Sequence, residues 1–355
     1  MYLKAYGKSI FRSAGGVCAA TIAALLIMYS ENGRNGAASG IEISLKILAP
    51  SLFPFMTAVN LMINTGFCVA AGKALEKPSR LLFGLGGSFA TVFLLSMVGG
   101  YPVGAAGISK LYSSGELSEN EAKRASLFCV GAGPGFLISY VGVGLYSNRT
   151  IGAYLLISQI ISAVLLGIAA RFLYRNEIDI SKKEIKQASL PFSQAMTEAV
   201  YSASRSMAAI AGFVIVFSTF LSVCEGIVQS KTAMQGIRLT LEVCSAAGLL
   251  SGVMPLDAIA FAAGFGGICV HFQIFSALGK VKVSKVLFFV FRIIQGLLTA
   301  LFTHILMFMI PVPVQVFSTQ SRAFGEVFGG NLLSGAMLVA VAICFLISVK
   351  NIKKV

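Results

Sequence analysis

Glu242 is the residue that most invites a chemical reading. It lies in Leu241-Glu-Val-Cys-Ser-Ala-Ala-Gly248, an apolar stretch where an ionisable side chain is costly unless it faces a cavity, pairs, or takes up a proton. Such a carboxyl can bind a coupling cation or proton, or hydrogen-bond a substrate beside Ser245. The alternative is a glutamate in an outer loop near Arg238. His271 and Gln273, in Val270-His-Phe-Gln-Ile274, are polar groups in an apolar run and would be expensive if unpaired. Two residues apart on a helix, they point to different sides. His271 suits either a proton relay or a satisfied packing role.

Two glycine-rich interruptions accompany these polar groups. In Gly99-Gly-Tyr-Pro-Val-Gly-Ala-Ala106, Gly100, Pro102 and Gly104 disfavour a continuous helix and predict a hairpin tip at Gly100, Tyr101 and Pro102. Irregular backbone at membrane depth is tolerated only where it is buried in protein or faces water, which makes the tip a substrate contact. The same glycines also suit a close helix crossing. In Gly131-Ala-Gly-Pro-Gly135, Pro134 removes a helical hydrogen bond beside Gly133. A half-helix starting beyond it would aim N–H groups and a positive dipole end inward, an arrangement friendly to anions. Close packing by glycine is again the alternative. Pro50-Ser-Leu-Phe-Pro-Phe55 predicts a broken start to a span, with Ser51 near freed backbone groups. Asn60, Asn64, Thr65, Gln295 and His304 are weaker candidates of the same kind, and Arg205 either guides an anion or snorkels to the membrane edge.

The elements that must position these residues follow from composition. Of 355 residues, 56% are hydrophobic and 12% charged, too apolar for a soluble domain. Lys and Arg number 28 against 14 Asp and Glu, a formal charge of +14. The positive residues cluster at the ends of apolar runs, as in cytoplasmic loops, and no basic patch interleaved with aromatics points to nucleic acid. The seven cysteines lie singly in apolar segments, and with only two histidines and no Walker-type motif, a metal centre, a cofactor site or an ATP-driven pump has no basis. The absence of His-Glu-x-x-His and of any Ser/His or paired-Asp arrangement argues against an intramembrane enzyme.

The predicted fold is all-α and polytopic, with about eight transmembrane helices plus two re-entrant hairpins in two inverted-topology repeats. Apolar runs at 13–29, 47–70, 125–147, 150–172, 206–224, 258–278, 286–310 and 333–349 are the spans. Stretches 81–106 and 239–256 become hairpins, because counting them as spans would place basic loops on opposite sides. The regions are then a first helix and outer loop at 1–40, a first repeat at 41–172, a cytoplasmic linker at 173–195, a second repeat at 196–310, and an outer loop with a last helix at 311–355. Residues 127–144 overlay 261–278 as the repeat relation requires. Positive-inside counting places both ends in the cytoplasm. Small-residue faces such as Gly131-x-x-x-Gly135 permit homo-oligomers.

The order and spacing of Pro50-Ser-Leu-Phe-Pro-Phe55, Gly100-Tyr-Pro-Val-Gly-Ala105, Gly133-Pro134 followed by Phe136, Leu241-Glu242, and Gly266-Gly267 with His271 and Gln273 carry a resemblance. Over most of its length the chain resembles the YlbJ-type sporulation integral membrane proteins, within the nucleoside-recognition or Gate-domain group. It departs from that pattern at Cys129-Val-Gly-Ala132, where a polar Asn or Ser is expected. The resemblance implies a transporter-like protein of the bacterial cytoplasmic membrane, active in spore formation and moving the small dianion dipicolinate; the wider group allows a nucleoside-like substrate. A secondary transporter of a small organic anion is therefore the leading expectation, and a non-transporting scaffold or signalling protein of sporulation is the runner-up.

Overall fold

The computed structural model describes residues 16–17, 19–173, 190–251 and 253–312, excluding the side chains of Ser245, Leu249 and Leu250. The expected last helix at 333–349 lies outside the described residues, as do most of the 173–195 linker and both chain ends. Every regular element described is helical. Helix α1 (Ala19–Met28) precedes α2 (Ser30–Glu42), which runs through a π-helical stretch, π1 (Ile43–Leu48), into α3 (Ala49–Asn64). Next come α4 (Phe67–Leu82), α5 (Gly87–Gly99), α6 (Tyr101–Ser113), α7 (Glu119–Ser126), π2 (Gly135–Leu145) and α8 (Arg149–Ala170). Then follow α9 (Phe192–Ile227), α10 (Lys231–Leu241), α11 (Val243–Leu250), α12 (Leu256–Phe265), α13 (Gly267–Leu278) and α14 (Lys285–Met309).

Among the described residues, five helical stretches are long and apolar enough to cross a membrane: Ser30–Asn64, Arg149–Ala170, Phe192–Ile227, Leu256–Leu278 and Lys285–Met309. Helices α4 and α5, bent by 91° at their junction, make a sixth if taken together. The chain is thus an all-α, multi-pass membrane protein.

The second span differs from its sequence expectation in two ways. Residues 30–40, read as an outer loop, are helical and continue through 41–46 into 47–64. Their polarity hid a packing surface. A Cβ on Gly36 would stand 2.6 Å from the Ser218 carbonyl oxygen, and one on Gly40 2.7 Å from the Ile215 Cα, so these glycines let α2 rest on the backbone of α9. The two long helices run antiparallel, with Asn32 bonding Ser222 O, Ser202 bonding Asn60, and Asn64 bonding Ala195 O. In addition, Pro50 and Pro54 do not break the helix. Pro50 falls where π1 gives way to α3, a point at which the hydrogen-bond ladder changes pitch and a missing N–H costs least.

Helices α5 and α6 form an antiparallel hairpin. A Cβ on Gly107 would meet Val92 at 2.5 Å and one on Gly104 would meet Ser96 at 2.8 Å, pairs nearly equidistant from Gly100. Each arm has 13 residues, about 20 Å, too short to cross a hydrocarbon core of about 30 Å. The hairpin spans Gly87–Ser113 rather than 81–106, because 81 and 82 finish the amphipathic α4 and 83–86 form its turn. Phe83, Phe89, Phe93 and Phe128 pack their rings at 5.2–6.2 Å and seat the hairpin against the end of α7.

One face gathers the basic chain turns. Arg124 donates to the Gly84 carbonyl at 3.0 Å, Arg171 donates to the Leu81 carbonyl, and Lys282 acts electrostatically on Glu119. Leu190, entering α9, donates its N–H to Asn64 O at 3.1 Å.

Candidate functional site

Four interruptions of the chain meet at one place. The first is the hairpin tip, where Gly100 adopts φ 84° and ψ −175°, a conformation open essentially to glycine alone. The second is the unwound segment between α7 and π2; a Cβ on Gly100 would lie 3.5 Å from Gly133 N. The third is the break at Glu242 between α10 and α11, and the fourth is Gly266-Gly267 between α12 and α13, with φ 89° and 74°. A Cβ on Gly267 would approach Leu241 O at 3.1 Å and Val243 N at 3.3 Å, so the last two breaks touch. Tyr101 joins the first break to the last, donating its hydroxyl to Ala263 O at 2.6 Å with its ring against Gly266. Tyr140 of π2 makes a similar link, at 3.4 Å, to Cys244 O.

These breaks enclose a cavity of about 30 Å³. Gly100, Tyr101, Pro102, Gly133, Glu242 and Gln273 all line it, so the structure brings together six of the residues singled out from sequence. Leu48 and Leu52 close one wall and Ile210 and Val214 of α9 another. Glu242 is 1% exposed, and its Oε1 accepts the Cys244 N–H at 2.9 Å at the start of α11. Gln273 donates to Cys269 Sγ at 3.4 Å. Helices α6, α11 and α13 begin beside this cavity, and their amino ends turn the positive ends of their dipoles toward it. The arrangement suits reversible binding of a small polar solute. Among the described residues no cluster of three or more His, Cys, Asp or Glu side chains is placed to hold a metal.

The remaining candidates lie elsewhere. Ser51 donates to Ile47 O at 2.6 Å within its own helix, and its backbone packs on Gly135, not on the cavity. Gly104 accommodates the Cys129 carbonyl, which a Cβ would approach to 2.1 Å, while Pro134 starts π2. His271 is fully buried among Phe265, Phe288 and Phe289, with Nε2 2.9 Å from Phe265 O, a carbonyl released by the Gly266 break. It points away from Gln273 and the cavity, as their spacing requires. Asn60 lies in a neighbouring polar chamber, and the Ser245 side chain lies outside the described residues.

Of the residues that hold the unwound segment, sequence reasoning named Gln295 only as a weak site candidate and missed Gln159 and Arg292. Gln159 of α8 accepts the Ala132 N–H at 3.0 Å and donates to the Ala132 carbonyl at 2.8 Å. Arg292 of α14 donates to Val130 O and Leu127 O, both at 2.9 Å, and to Gln295, which itself donates to Val130 O at 3.3 Å. All three side chains have no exposed surface. They supply the hydrogen bonds the helix has given up, an obligation of any backbone in a membrane interior. The available signal was a cation and a carboxamide inside otherwise apolar spans.

The chain is similar to the sporulation integral membrane protein YlbJ of Bacillus subtilis (strain 168), with 24% identity over 328 residues, 80% of each chain. No protein-family model matches it. No solved structure gives a significant match. The likeness, spread over four fifths of both chains, supports a YlbJ-type assignment.

Proposed function

We propose that this YlbJ-type membrane protein is a secondary transporter of a small organic anion, dipicolinate or a close relative, serving spore formation. The observation that carries the reading is the meeting of four broken or hairpin segments around one buried cavity containing Glu242. Interrupted helices that expose backbone donors in the membrane interior are how transporter folds bind solutes without leaving polar groups in lipid. Its likeness to a sporulation protein supports the biological setting.

In this reading α3, the α5–α6 hairpin, α7–π2 and α8 form one repeat. Helix α9, the α10–α11 hairpin, α12–α13 and α14 form its inverted counterpart, and the basic face is cytoplasmic. A cavity of 30 Å³ has room for about one water, whereas small-molecule sites usually need about 300 Å³ or more. Loading therefore requires the tips at Gly100 and Glu242 to withdraw, which is the alternating-access step. Glycines at the tips admit the solute to the backbone, Gln273 hydrogen-bonds it, and Glu242 carries a coupling proton.

The test is uptake by proteoliposomes of labelled dipicolinate, nucleosides and a few small carboxylates, comparing the intact protein with Glu242→Gln and Gly104→Leu. Saturable movement of one anion, lost in both variants, is the expected result. Failure of well-folded intact protein to move any of them overturns the proposal.

A further inference from the structure

The hairpin arm α6 separates the central cavity from a second, polar chamber of about 280 Å³. Its polar lining is Asn60 and Asn64 from α3, Lys110 from α6, and Glu198, Ser202 and Ser206 from α9. Pro102 lines both spaces. Asn64 and Glu198 also border a wider mouth of about 530 Å³, beside Leu190 and Thr197, where the chain enters α9. Mouth, chamber and cavity thus lie in series.

Lys110 is the chamber's cation. Its Nζ donates to the neutral Asn64 Oδ1 at 2.5 Å, and among the described residues it belongs to no ion pair. Glu198 shares the chamber and acts on Lys110 electrostatically, without reaching ion-pair distance. Asn60 and Asn64 each commit one amide hydrogen to a helix carbonyl, Met56 O at 2.9 Å and Ala195 O at 3.3 Å, which leaves each a second donor. A half-buried ammonium held by a carboxamide gains from exchanging it for a carboxylate, because a charge-assisted bond is roughly twice as strong as a neutral one.

We propose that this chamber is a second binding site, specific for a carboxylate group, with Lys110 as its recognition element and Asn60 and Asn64 as supporting donors. That solute halts there between the mouth and the central cavity rests on the transport reading; that the chamber binds a carboxylate does not. Glu198 at the neck opposes an anion and shortens its stay, as a site on a route must release what it captures.

The experiment uses the full chain in proteoliposomes and nanodiscs, with pyridine-2,6-dicarboxylate, succinate and uridine as probes and Lys110→Met, Lys110→Arg and Glu198→Gln as variants. In uptake, Lys110→Met raises KM about tenfold with the maximal rate nearly unchanged, Lys110→Arg restores most of the loss, and Glu198→Gln lowers KM. Equal KM in intact protein and Lys110→Met overturns the proposal while leaving the transporter reading standing. If intact protein carries no probe, the transporter reading fails alone and binding decides the chamber. Stabilisation against heat by a dicarboxylate, lost in Lys110→Met and kept in Lys110→Arg, upholds it. Equal stabilisation of all forms by the dicarboxylates, or stabilisation by uridine that depends on Lys110 to the same extent, rejects it.

Discussion

The two broken spans relieve the same difficulty by different means. Between α7 and π2 several residues leave the helix, and three buried side chains from α8 and α14 take over their hydrogen bonds. Between α12 and α13 the interruption is a pair of glycines, and the freed carbonyls are met singly, Ala263 O by Tyr101 and Phe265 O by His271. The first break is clamped from outside itself. The second is a swivel with two light attachments, one of which belongs to the hairpin tip. Under the transport reading, the clamped segment is the frame and the swivel is the part whose local bonds are cheap to exchange.

Substitutions that remove one attachment at a time put this contrast to the test, with thermal unfolding of the full chain in detergent as readout. Arg292→Met should cost most, about 3 kcal/mol or more, since it strips donors from two buried carbonyls and from Gln295. Gln159→Leu, which leaves both backbone groups of Ala132 unsatisfied, should cost about 2–4 kcal/mol. His271→Phe keeps the aromatic packing and loses one bond, so about 1–2 kcal/mol is expected. Equal losses for Gln159→Leu and His271→Phe would erase the distinction between clamp and swivel. Tyr101→Phe should be mildest in stability, about 1 kcal/mol, and should show instead as an altered rate of solute turnover, because its hydroxyl ties the tip to α12.

Much of the site was legible because glycine and proline mark backbone that cannot remain helical, and because a carboxyl in an apolar run has few inexpensive surroundings. That logic located Gly100, Gly133 and Glu242 without any contact information. It could not say which polar residue serves which break. Arg292 and Gln159 sit on spans distant in sequence from the carbonyls they hold, and a chain reveals that a buried cation needs partners without revealing them. The glycines of α2 misled for a related reason. Read locally, Gly33, Gly36 and Gly40 among polar neighbours describe a loop; read against α9, Gly36 and Gly40 leave room for its backbone where a Cβ would collide. Pro50 misled because the π-helical stretch before it takes up the irregularity a proline would otherwise force.

The small central cavity has one more consequence, for the membrane as a whole. Leu48, Leu52, Ile210, Val214 and Val270 bring hydrocarbon to its walls, and 30 Å³ accommodates about one water molecule. A continuous file of water cannot form through such a constriction, and apolar constrictions shut by expelling water. Under the transport reading, this conformation interrupts proton and ion leak through the cavity, so the membrane keeps its voltage between turnovers.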